Sequence, residues 1–214
     1  SCVIIVDDPV SSLDHHRRRR VATRLVEEAK NRQVIILTHD IAFLSDLIFA
    51  TEKNNVDSLI HHLQWTGDFS GCVYDGLPWD KVSYKTRVEK LKQESRQLDP
   101  WPVYPSAEQD NSMRRLYSRM RSTVEKMVED VIFAGIVVRF SEIIGVGNLH
   151  KLSGLERECC IAISELWSKC HRITDAHDQP AYKQTALPSP DEFRADLELI
   201  LDLAKKAAAT QIKK

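Results

Sequence analysis

Val3-Ile-Ile-Val-Asp-Asp-Pro-Val-Ser-Ser-Leu-Asp14 decides how the first part of this chain is read. Its first four residues are apolar without alternation, the pattern of a strand covered on both faces of a parallel sheet. Asp7-Asp8-Pro9 ends the run. Val10 to Leu13 reads as a turn, and Asp14 or Ser12 suits the N-cap of a helix running from His15 to about Lys30. Val21, Leu25 and Ala29 form the expected apolar stripe of that helix. Asn31 to Gln33 is a short loop. Val34-Ile-Ile-Leu37 is a second unalternated run, ended by Thr38-His39-Asp40, and a helix from Ile41 to about Phe49 follows. Strand, helix and strand make a βαβ unit with parallel strands and a right-handed crossover. Ligands of such sheets bind past the carboxyl ends of the strands, where Asp7, Asp8 and His39 fall.

Two acids and a histidine on that edge suit hydrolysis of a magnesium-bound nucleotide. The first acid can hold the metal through its water. The second can polarise the attacking water, and the histidine can contact the terminal phosphate. The simpler alternative is that Asp7 and Asp8 only cap the next helix.

The 3–14 stretch resembles the Walker B strand and D-loop of ABC-type ATPases, including the SMC-like heads. Ile36-Leu-Thr-His-Asp40 resembles their H-loop. The Asp-Asp-Pro-Val-Ser-Ser-Leu-Asp form is most similar to the anticodon-nuclease ATPases of the PrrC/RloC type and related phage-defence ATPases. The resemblance covers about 40 residues. It implies an α/β fold: the C-terminal part of a P-loop ABC-type ATPase head, with parallel strands and a crossover helix, followed by a mostly α-helical domain. It implies ATP and Mg2+ as cofactors, with Asp7 on the magnesium and Asp8 at the usual catalytic glutamate position, where a shorter acid slows hydrolysis. Ser11, Ser12, Leu13 and Asp14 would reach across a homodimer of heads, and His39 would be the γ-phosphate switch. No GxxxxGK[ST] occurs in the sequence, so these residues offer no phosphate cradle. The family's signature should precede the Walker B strand; Leu152 to Glu156 looks like it but is far downstream and reads as a helix start. The expectation is the C-terminal part of a longer protein, whose 214 residues alone bind ATP no better than background.

Bulk composition agrees with a globular chain. Hydrophobic residues make up 43% and charged residues 29% of 214, enough to bury a core. No apolar run reaches the roughly 18–20 residues of a membrane span. No basic leader precedes the first strand, so the reading is cytoplasmic, with no membrane partner. The five cysteines lack paired CxxC spacing and read as free thiols in a reducing compartment. A net charge of −1 gives no global sign of nucleic-acid binding, although local clusters such as Arg17 to Arg20 remain candidates.

Downstream, 56–66 reads as a strand, Gly67 to Trp79 as a loop with a short strand at Cys72-Val73-Tyr74, and 81–97 as a charged helix. His61-His62 lacks a matching metal-ligand cluster and reads as surface strand. Pro100, Pro102 and Pro105 mark a linker. The expected domains are therefore 1–98 (head), 99–112 (linker) and 113–214 (helical effector or scaffold). Helices are expected over 113–144, 153–172 and 190–208, the last capped by Ser189 or Asp191. Trp65, Trp79, Trp101 and Trp167 read as core or interface anchors.

Arg121 and Glu125 lie one helical turn apart on one face, and histidines follow at 171 and 177. Arginine, glutamate and histidine can cleave RNA without a metal, by proton transfer and stabilisation of phosphorane charge. The plainer reading is an i,i+4 ion pair and a loop histidine. The same family resemblance implies an Arg-x-x-x-Glu…His triad, matched by Arg121, Glu125 and His177 with His171 as fallback, although the gap to His177 is long. Arg114, Arg115, Arg119 and Arg139 are candidates for holding RNA phosphates, or else solvated helix faces. The leading expectation is an ATPase with an RNA-cleaving domain in phage defence. Its partners would be a second copy, nucleic acid (tRNA or DNA) and an accessory subunit. The alternatives are an ATP-driven DNA-binding or repair-like head with a helical docking module, and a truncated inactive fragment.

Overall fold

The computed structural model describes residues 2–66, 69–139, 144–152, 154–174 and 187–210. The fold is mixed α/β and mostly helical, and it divides at Leu77/Pro78 into two compact units.

In the first unit, β1 (Ile4–Asp7) and β2 (Val34–Leu37) pair in parallel, with Ile4 opposite Val34 and Asp7 opposite Leu37. The connection is α1 (His15–Ala29), and α2 (Ile41–Asn54) follows β2. The core is Val10, Ala22, Val26, Phe43, Leu47 and Ala50, with Val21, Leu25 and Ile36 packed against it. The buried line of α1 is thus Ala22 and Val26, one position beyond the expected Val21 and Leu25, which lie on its flank. The strands were expected to be covered on both faces. Instead, Ile4, Val6, Val34 and Ile36 are half-buried, whereas Ile5, Ile35 and Leu37 are exposed. Pleating sends alternate side chains to opposite faces, and one face of this two-stranded sheet is left open.

Two aspartates start the helices of this unit. Asp14 accepts the Arg17 N–H at the head of α1. Asp40 accepts the N–H groups of Ala42 and Phe43 at the head of α2. Each satisfies orphan donors of a first turn. A hairpin, β3 (His61–Thr66) and β4 (Phe69–Asp75), completes the unit. The β4 strand is longer than the three residues expected, because Phe69 and Cys72 to Asp75 pair with β3 across an irregularity between Gln64 and Thr66. His61 pairs with Asp75 at 2.8 Å and His62 stacks on Tyr74, so both histidines make cross-strand contacts.

The second unit packs α3 (Tyr84–Ser95), α4 (Ala107–Met127), α5 (Arg157–Thr174) and α6 (Pro190–Ala209) around one core. Met113, Tyr117, Met120, Val124 and Met127 recur at helical spacing along α4 and are fully buried. They face Val88 and Leu91 of α3 and Phe193, Leu197 and Ile200 of α6. Tyr117 and Phe193 meet edge to face at 5.1 Å, and the Tyr117 hydroxyl donates to Asp196 at 2.7 Å. The compact boundary therefore precedes α3 and does not coincide with the proline segment 99–112. The apolar side of α3 belongs to the helical core, and Leu98 and Trp101 pack against that same core.

Ser106 and Ser189 each close a capping box, with Gln109 and Glu192, and Pro190 takes the first turn of α6. The helix expected over 113–144 ends earlier. A π-turn, Val128–Ile132, follows α4, and Ala134 and Gly135 then adopt positive φ of 44° and 78°. A left-handed pair cannot continue a right-handed helix. No described helix is long and apolar enough to cross a membrane.

Candidate functional site

The carboxyl edge of β1 and β2 brings Asp8 and His39 together. Asp8 steps off β1 with φ of 39°, a conformation that aspartate tolerates better than most side chains. Its N–H donates to the Leu37 carbonyl at 2.9 Å, which extends the ladder by one bond. The carboxylate then turns toward β2. The His39 N–H donates to Asp8 Oδ1 at 3.1 Å, and His39 Nδ1 lies 2.5 Å from Asp8 Oδ2. Desolvation acts to raise the Asp8 pKa. Hydrogen bonds from the His39 N–H, the Thr38 hydroxyl and the His39 ring, with the histidine charge, outweigh it and hold the carboxyl below its ordinary value. The His39 side chain is 83% exposed, so its outer ring nitrogen faces solvent.

Asp7 ends β1 and is exposed. Among the described residues no group of three or more His, Cys, Asp or Glu is gathered for a metal. Magnesium commonly takes one or two carboxylates, with substrate phosphates and water completing its shell. Asp7 fits that donor set as one hard oxygen ligand. Ser11 and Ser12 are exposed. Asp14 is exposed as well, but it is engaged as the cap of α1 and pairs with Arg17 at 3.6 Å. In the arginine run, Arg18 and Arg19 pair with Asp40 and Asp46 of the same unit, at 3.5 and 3.3 Å.

A second cluster forms in the helical unit. Arg121 and Glu125 sit on α4, facing Trp167 and His171 of α5. Arg121 Nη1 is 3.4 Å from His171 Nδ1. Arginine only donates, so for this contact to be a hydrogen bond His171 accepts on Nδ1 and carries its proton on Nε2. The Trp167 ring stacks on His171, with centroids 5.4 Å apart, and its Nε1–H donates to Glu125 Oε1 at 3.1 Å. Arg139 donates to Glu125 Oε2 at 2.5 Å. Burial acts to raise the Glu125 pKa. The Arg139 and Trp167 hydrogen bonds, with the Arg139 and Arg121 charges, outweigh it and keep the carboxylate ionised below the usual glutamate range. His177 lies outside the described residues; His171 is the histidine beside Arg121.

The other basic candidates have structural partners. Arg114 donates to the Ile173 carbonyl at 2.6 Å and Arg115 to the Ser112 hydroxyl at 3.1 Å. Arg119 pairs with Glu94 and lies 3.9 Å over the Trp79 ring. Trp65, expected as an anchor, is 72% exposed on the hairpin. Reading by spacing missed Glu129, took Trp167 only as a core or interface anchor, and took Arg139 as a candidate for RNA phosphates and not as the partner of Glu125. Trp167 precedes His171 by four residues and Glu129 follows Glu125 by four, so helical periodicity carried a usable signal for both. Arg139 reaches the cluster through the turn at Ala134-Gly135, which no periodicity encodes.

Comparison of this chain with protein-family models, curated proteins and solved structures finds no match.

Proposed function

We propose that this chain supplies the hydrolytic groups of an ABC-type nucleotide-hydrolysing head, joined to a helical unit that cleaves RNA without a metal. The observation that carries the reading is the Asp8–His39 pair. Two groups 31 residues apart are hydrogen-bonded at the carboxyl ends of adjacent parallel strands, the edge where such sheets bind ligands. Asp8 is held as a carboxylate, the form that can polarise a water. His39 keeps its outer ring nitrogen in solvent, where it can meet a terminal phosphate. Asp7 would hold magnesium, which supplies charge neutralisation on the phosphates when bound. The open apolar face of β1 and β2 agrees with strands that belong to a larger sheet, and Ser11 and Ser12 are exposed as a head-to-head homodimer would need. The phosphate cradle must come from residues outside these 214.

For the helical unit, Glu125 would take the proton of a ribose 2′-hydroxyl as that oxygen attacks the adjacent phosphorus. Arg121 would turn from His171 to the phosphate and balance the phosphorane charge. That movement breaks the Arg121 contact at His171 Nδ1, and the ring takes up a proton from solvent. The protonated ring then delivers a proton to the departing 5′-oxygen, leaving a 2′,3′-cyclic phosphate and a 5′-hydroxyl. One observation favours the rival reading, a non-catalytic docking module: both Glu125 oxygens already have partners in Arg139 and Trp167. Each carboxylate oxygen has a second lone pair, so that engagement does not exhaust its basicity.

The test uses the intact protein. Asp8→Asn and His39→Ala should each lower ATP turnover by about 10²-fold or more. Turnover within twofold of the parent in both variants would overturn the head reading. Arg121→Ala should abolish cleavage of single-stranded RNA; cleavage that persists unchanged, or that is absent in the parent while ATP is hydrolysed, would leave the docking reading in its place.

A further inference from the structure

Beside the Arg121–Glu125–His171 cluster lies a cleft of about 450 Å³, within the size range of small-molecule sites. Phe133, Ile163 and Trp167 contribute to its apolar walls, and Glu125, Glu129 and Arg139 are its charged members. Glu129 is 8% exposed. Its Oε1 accepts from Lys126 at 2.7 Å, but its Oε2 is buried with no hydrogen-bond partner. Arg139 Nε stands 3.7 Å from that oxygen, too far for a hydrogen bond. Arg139 is 53% exposed and reaches in from the rim, where its hydrogen bond is made to Glu125 and not to Glu129. Buried carboxylate oxygens without a donor are rare because desolvation is left uncompensated. Glu129 also sits in the π-turn Val128–Ile132, and such wide turns recur at functional sites.

We infer that this cleft takes one unstacked nucleobase bearing an exocyclic amino group, with the amino N–H donated to Glu129 Oε2. The inference rests on the RNA-cleaving reading of the same unit and gives that reading a substrate class. A largely apolar cleft walled by Phe133 and Trp167, with one buried acceptor, matches a heterocycle with a donor on its edge. Adenine, cytosine and guanine present an amino donor. Uracil offers only a ring N–H flanked by two carbonyl oxygens, which a carboxylate repels. The cleft shares Glu125 and Trp167 with the cluster, so a base held there brings its own ribose and phosphate to Arg121 and His171.

The experiment labels the intact protein with 5-fluorotryptophan, assigns the Trp167 signal with Trp167→Phe, and titrates 3′-AMP, 3′-CMP, 3′-GMP and 3′-UMP by fluorine NMR. The Trp167 signal should move with the three amino-bearing nucleotides and respond to 3′-UMP at least about tenfold more weakly. Glu129→Gln should erase that preference. Should Glu129→Gln fail to fold, Val137→Trp, made at a half-exposed rim position, should block the shift with the other tryptophan signals in place. A Trp167 signal that no nucleotide moves, or one that 3′-UMP moves equally, overturns the inference. Cleavage lost in Arg121→Ala with no base effect at Trp167 removes the base site alone. Glu129-dependent base binding in a protein that cuts no RNA removes the cleavage reading alone.

Discussion

The two units of this chain use apolar residues in different ways. In the helical unit, Tyr117, Leu197 and Ile200 are fully buried, each in a stripe that meets another stripe. In the first unit, β1 and β2 are apolar on both faces, yet Ile5 is 65% and Leu37 49% exposed. A helix needs one neighbour to bury one stripe, whereas an unalternated strand needs cover on two sides. The helical unit therefore completes its own core, and the strand pair does not. The candidate sites differ accordingly. Asp8 and His39 are placed by backbone, at the ends of paired strands. Arg121, Glu125, Trp167 and His171 are placed by side-chain packing between two helices.

That contrast can be broken most directly in the cores. Leu197→Ala should cost about 2–5 kcal/mol, read as a lower denaturation midpoint and faster hydrogen exchange in α6. Ile5→Ala in the same 214 residues should change stability by less than about 0.5 kcal/mol. Comparable losses would mean that the open strand face is packed in solution.

A second effect, smaller at any one pH unit, should appear at alkaline pH and distinguish the units. Burial lifts the Cys170 thiol to about 12 and, with the neighbouring Asp196 carboxylate, raises the Tyr117 hydroxyl as well. Both groups are neutral when protonated, and their folded pKa lies above the unfolded one. For Cys170 the linked stability is intact below the unfolded value near 9 and is lost as pH rises toward 12; for Tyr117 the loss begins only above its unfolded value near 10. The helical unit should weaken over that window by up to about 1.4 kcal/mol per pH unit for each group, and Cys170→Ala should flatten the slope. A slope unchanged by Cys170→Ala would show that this thiol ionises freely. In an alkylation assay Cys160, which is exposed, should react well before Cys170.

The smallest expected change concerns helix starts. Ser189→Ala removes a capping-box acceptor and should cost about 1 kcal/mol in the thermal unfolding of the helical unit. Restoration by Ser189→Asp would assign the loss to the cap, and a loss that persists in that variant would assign it to packing.

Much of the local structure was legible because its signals are short-range. The two apolar runs and the capping residues Asp14 and Ser189 all fall where neighbouring residues demand them. The end of α4 was not legible. Nothing local in 128–135 forbids a helix as proline would, and the left-handed turn at Ala134-Gly135 depends on what packs around it. The division between the compact units, ahead of α3, was not legible for a related reason. Three prolines look like a linker, but the apolar side of α3 decides which core that segment joins.

The carboxylate and histidine at the ends of two apolar runs followed from sequence alone, since a βαβ connection puts consecutive strand ends on one edge. Their direct hydrogen bond needed the tertiary structure, because it depends on the positive φ at Asp8 and on the parallel register of Asp7 with Leu37. In the helical unit the one-turn spacing of Arg121 and Glu125 was likewise in the sequence. The choice of Trp167, His171 and Arg139 as their neighbours belongs to the fold. Contacts between helices 50 residues apart are set by which stripes bury each other, and no spacing along the chain encodes that.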